Sequence, residues 1–182
     1  MASTSDELFI AIEAGNVGGV ETVLDADPSA GAARDGSGVS ALMRALYRFD
    51  PDLVEIVKVR AGAFDVFEAA ALGDVDRLRS VLDDGPSGAT AYSGDGFTAL
   101  HFAAFFGHPE AVSLLIDRGA EVDAFGRGWM TGTALHSGAS RLQSEVVRVL
   151  LEAGANPDVG RQGGGECIEC LSHQKAWSQR ML

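Results

Sequence analysis

Thr98-Ala99-Leu100-His101 recurs as Thr133-Ala134-Leu135-His136, 35 residues further on, and Gly119-Ala120 recurs as Gly154-Ala155 at the same interval. Within each copy 21 residues separate the Thr from the Gly. A fixed internal period of this size marks a stack of small units. One unit cannot bury its own apolar face, but a neighbour of the same shape can cover it. The period therefore constrains the fold more than any other property of the chain.

In each clear copy a Gly-containing turn leads into a short helix that begins at Thr-Ala-Leu-His. A second turn reverses the chain after Phe106, and a second helix follows. Val112, Leu115 and Ile116, and then Val147, Leu150 and Leu151, are spaced for one buried helical face. Gly119 and Gly154 stand where these helices should end, because Gly accepts the left-handed conformation of a C-terminal cap. Weaker copies precede them, built on Leu8, Phe9 and Gly15, on Gly38 to Leu42, and on Val66, Phe67 and Gly73. Positions equivalent to Leu100 are Leu8, Leu42, Val66, Leu135 and Ile168, at successive intervals of 34, 24, 34, 35 and 33 residues. The short interval predicts that the second and third units join through Arg60–Phe64 without a hairpin. The longest predicts a protruding loop over Phe125–Gly132.

Gly96-Phe97-Thr98-Ala99-Leu100-His101-Phe102-Ala103-Ala104, with Gly107-His108, Leu114-Leu115 and Gly119-Ala120, resembles the ankyrin repeat, with Ala in place of the usual Pro. The likeness is specific over 95–159, weaker over 6–94 and poor over 161–182. It implies an all-α solenoid of stacked antiparallel helix pairs with connecting hairpin loops, curved into an L-shaped array. Residues 1–160 form the repeat domain, of about five repeats with the second shortened, and 161–182 a degenerate or incomplete terminal unit. The resemblance further implies a protein-binding surface, and a structural role for Thr98, His101, Thr133 and His136 between hairpins and helix ends.

The net charge of −12 opposes binding to phosphate backbones and anionic lipid surfaces. It favours solubility and a basic partner. No apolar run approaches the ~20 residues that span a bilayer, and no secretory signal is visible at the N-terminus. Cys167 and Cys170 are too few for a disulfide framework. A cytoplasmic, monomeric, cofactor-free protein is expected, with no nucleic-acid or membrane partner. Twelve Arg against two Lys is the usage of a GC-rich bacterial genome.

No phosphate-binding loop or nucleophile elbow is present, so catalysis is not expected. Cys167, Cys170 and His173 give an alternative reading as a small metal or redox site. That site has three candidate ligands where structural zinc needs about four, and Glu166 and Glu169 flank the thiols. Carried over from the family, the partner-binding positions are the hairpin residues Phe97, Trp129 and Met130 with Val39, and the turn-flanking residues Tyr47, Arg48, Phe105, Phe106 and Arg141. Aromatics and Arg dominate interface hot spots, and Phe97, Phe105, Phe106, Trp129 and Met130 are expected to form one exposed apolar cluster.

Overall fold

Ser3, Ser40, Asp65, Thr98 and Thr133 each stand one residue before a helix in extended backbone, the place where a short polar side chain satisfies otherwise orphaned amides. Ser3 and Asp65 make full capping boxes, with Asp6 and Glu68 reaching back to the cap amides. In this computed structural model residues 3–127 and 131–159 are described. Among them lie ten α-helices and no strand.

The helices come in five pairs: α1 (Thr4–Glu13) with α2 (Val17–Ala26), α3 (Ala41–Tyr47) with α4 (Pro51–Arg60), α5 (Val66–Leu72) with α6 (Val75–Asp84), α7 (Ala99–Phe106) with α8 (Pro109–Asp117), and α9 (Ala134–Ser140) with α10 (Ser144–Glu152). The described residues divide at Phe64/Asp65 into two compact units. In the first, α1 packs on α3 and α2 on α4. In the second, α5, α7 and α9 pack in succession, as do α6, α8 and α10. Each unit is thus a stack of first helices backed by a stack of second helices.

Leucines recur through the core of both stacks. Leu8, Leu24, Leu42 and Leu53 are fully buried in the first unit, and Leu78, Leu82, Leu100, Leu115, Leu135 and Leu150 in the second. Each contributes about 1.5–3 kcal/mol relative to exposure. Val112 and Val147 are buried as their spacing predicts, but Ile116 is only half-buried and Leu151 is exposed. The inward places next to them are taken by Leu114 and Val146 instead, so each second helix presents a face rotated from the expected one.

From α2 to α3 and from α6 to α7, between successive pairs, the long connections start with 3₁₀ turns, Pro28–Ala32 and Pro86–Ala89, and end in hairpins closed by the antiparallel bridges Arg34–Ser40 and Tyr92–Thr98. From α4 to α5 the chain runs only from Ala61 to Asp65, with no such bridge, as the short interval predicts. Gly119 and Gly154 follow the second helices with φ of 87° and 91°, which only Gly adopts without strain.

Candidate functional site

The Thr-x-x-His motif builds a bond between repeats. The Thr98 amide, which can only donate, lies 3.3 Å from His101 Nδ1, and the Thr98 hydroxyl lies 2.8 Å from the same atom. Nδ1 is therefore the acceptor, and Nε2 carries the hydrogen, which it donates to the Gly132 carbonyl at 3.0 Å. Burial depresses the His101 pKa below 6.5, the Gly132 bond partly opposing it, so the ring is neutral at pH 7. Thr133 and His136 repeat the local half, with the Thr133 hydroxyl 3.0 Å and its amide 3.2 Å from Nδ1. Both imidazoles are buried, which suits holding the backbone rather than handling solvent protons.

In the first unit Met43 replaces the His, and its amide donates to Ser40 Oγ. Here side-chain bonds hold the hairpin to its own helix: Arg44 Nε donates to Asp35 at 2.7 Å, and Arg34 donates to the Gly38 carbonyl at 3.1 Å. In the second unit the described part of the Phe125–Gly132 connection is tied to the preceding hairpin. The Tyr92 hydroxyl donates to the Phe125 carbonyl, the Arg127 amide to the Gly96 carbonyl, and the Arg127 guanidinium lies 3.7 Å from the Tyr92 ring centroid.

Phe97 is not part of an exposed cluster. It is 3% exposed, its ring 5.8 Å from that of His101 and 5.9 Å from that of Phe102. Its amide and carbonyl are both bonded to Ser93, which turns the side chain under the hairpin and into the stack. Val39 occupies the same slot in the first unit and is likewise buried. An apolar residue in both copies, amid Gly, Ser and Asp, was the available signal of burial.

The turn-flanking positions fare differently. Phe105 and Phe106 are half-buried, edge to face with centroids 5.2 Å apart, and the Arg141 guanidinium lies 5.2 Å from the Phe105 ring. These three residues form one surface on the second unit. Tyr47 is half-buried and Arg48 exposed on the first unit. Trp129, Met130, Cys167, Cys170 and His173 lie outside the described residues. Sequence reasoning missed two residues. Phe49 and Leu142 stand nine positions after Ser40 and Thr133, where Gly107 stands after Thr98, and both take positive φ, 54° and 58°. Counting the register from the Thr would have found them.

Among the described residues no group of three or more His, Cys, Asp or Glu is placed to hold a metal ion. No described helix is long and apolar enough to cross a membrane. The surface can offer apolar and aromatic contact with an Arg beside it.

The model for ankyrin repeats, in three copies, matches residues 66–161, just over half of the chain. The chain is 42% identical over 96 residues to the probable E3 ubiquitin-protein ligase XBOS31 of Oryza sativa subsp. japonica, covering 51% of this chain and 21% of that protein. It is 31% identical over 102 residues to ankyrin repeat and SAM domain-containing protein 6 of Mus musculus, covering 55% of this chain and 11% of that protein. The match thus spans about a fifth or less of these relatives. Among solved structures, the ankyrin repeat domain of Bcl-3 has a TM-score of 0.54 at 24% identity, covering 93% of this chain and 80% of that one. The chain belongs to the ankyrin repeat family.

Proposed function

We propose that this chain is a non-catalytic module that binds one protein partner through the ends of its first helices and the hairpins that precede them. Ankyrin repeats generally mediate protein–protein interaction. The observation that carries the reading for this chain is the Phe105–Phe106–Arg141 surface, which joins an aromatic pair to an Arg on two successive repeats. Aromatics and Arg are the residues in which interface energy concentrates. Tyr47 and Arg48 offer the same chemistry on the first unit. The net charge of −12 favours partners with a basic surface and speeds their approach at low salt.

A photo-crosslinking residue at Phe106, compared with one at exposed Ser113 on α8, tests this. Affinity capture followed by mass spectrometry should return a protein joined through position 106 and not through 113. Equal joining at both positions, or at neither, counts against this face.

A further inference from the structure

The face of α1 that carries Ile10 corresponds to the face through which α7 and α9 each meet the first helix before them. Two positions on from the leucine of each repeat stand Phe102 after Leu100, Ser137 after Leu135 and Ile10 after Leu8. Phe102 is 3% exposed, and its ring meets that of Phe67 on α5 edge to face, centroids 6.1 Å apart. Ser137 is buried on α9, which packs on α7. Ile10, at the same register, is 63% exposed. Helical geometry turns it away from Leu8, Ala11 and Ile12, which are buried where α1 packs on α2 and α3.

Around Ile10 the surface is acidic. Asp6 and Glu7 stand four and three positions before it and Glu13 three after, so all three share its face. All three are exposed. Up to Arg34 the chain carries six Asp and Glu and no Lys, Arg or His, so no basic side chain of the first repeat competes for these carboxylates. A second copy of the chain would bring the same carboxylates to the same face, and like charges oppose that pairing.

An apolar centre ringed by carboxylates complements an apolar side chain flanked by ammonium or guanidinium groups. A basic amphipathic helix presents both on one face. We infer that α1 docks such a helix of the protein partner, laid against it as α5 lies against α7. The apolar stripe of that helix covers Ile10, and its Lys or Arg residues pair with Glu7 and Glu13. This rests on the protein-binding reading above and names the chemistry of one segment of the partner.

Fluorescence anisotropy of the full chain with two labelled peptides tests the inference. The peptides share one leucine face, and one carries lysines on its polar face where the other carries glutamates. The lysine peptide should bind saturably and the glutamate peptide should not. I10A, and E7Q combined with E13Q, should each weaken the lysine peptide roughly tenfold. Ile10 is largely exposed and Ala favours helix, so I10A should melt no lower than the parent and its loss of binding would not be unfolding. Removing two exposed charges from α8 instead, with E110Q and D117N, should leave binding unchanged. Binding of neither peptide, or lysine-peptide binding unmoved by I10A, overturns the inference. Equal weakening by the α8 variant overturns it as well, because general charge would then suffice. A dimer of the chain that I10A dissociates also overturns it, by giving the face to a second copy. Crosslinking at Phe106 reads the protein-binding proposal separately: a protein joined there, with peptide binding unmoved by I10A, would sink this inference alone.

Discussion

His108 donates its Nε2 hydrogen to the carbonyl of Ala71 in the preceding repeat at 3.0 Å, and its ring fills the space over Gly73 where a Cβ would stand 2.4 Å away. One ring thereby fixes both the end of α5 and the identity of the residue after it. Gly73→Ala must accept a left-handed backbone and displace the ring, and is expected to cost about 2–3 kcal/mol. Gly119→Ala meets nothing within 4 Å, so only the backbone cost of about 1 kcal/mol applies. Urea unfolding of the two variants checks this, and equal losses would show that the His108 contact contributes nothing.

Acid should weaken the fold through its histidines before its carboxylates. Burial holds His101 and His108 below the ordinary 6.5, to which both return on unfolding. Between the folded and unfolded values the unfolded chain binds more protons. Stability is therefore full above about pH 6.5 and declines as pH falls toward the folded values. Urea midpoints should drop from pH 7.5 to pH 5, and His101→Gln with His108→Asn should flatten that slope. A midpoint that rises toward pH 5 would contradict the assignment of neutral buried rings.

Asp35 acts in a lower window. Partial burial pushes its carboxyl up, but hydrogen bonds from Ser37 and Arg44 outweigh that and hold it at about 2, against an ordinary 3.8. A lowered folded value means that its contribution is present above 3.8 and lost as pH falls through 2. Asp35→Asn is expected to cost about 1–2 kcal/mol at pH 7 and almost nothing at pH 2. Thermal melts at both values measure the difference. A loss that persists at pH 2 would mean that the carboxylate charge is not what anchors this hairpin.

Phe97 and Phe105 should separate core from surface. Phe97→Ala empties a fully packed site and is expected to cost about 3–5 kcal/mol. Phe105→Ala, at a half-buried position, should cost about 1 kcal/mol and act mainly on partner capture. Circular dichroism melts of the two variants decide between these roles, and similar losses of stability would place both rings in the core.

The helices and their leucines were legible because the period repeats Leu100 at Leu135 and, more faintly, at Leu42 and Leu8. The missing hairpin before α5 was legible from the interval between Leu42 and Val66, for a chain too short to make a hairpin must link its helices directly. Hairpin side chains were not legible. A hairpin of a few residues is too short for its alternation to declare a side, and the Ser93 bonds that bury Phe97 leave no mark of period. The surface was half legible: the family pointed to Phe105, Phe106 and Arg141, but Leu142 could be found only by counting nine positions from Thr133, where Gly107 stands after Thr98.

The pairs that tie one repeat to the next have a consequence for how fast the fold can form. Asp25 with Arg60, Asp83 with Arg118, Ala71 with His108, Tyr92 with Phe125, His101 with Gly132 and Asp123 with Asn156 are separated by 31 to 37 residues. Loop-closure entropy grows only with the logarithm of loop length, so each of these contacts meets nearly the same entropic barrier. Low contact order favours rapid folding. Once one helix pair has formed, each further pair within a unit closes a loop of about the same length as the one before, and none of these contacts adds a late, long-range step on which that unit could stall.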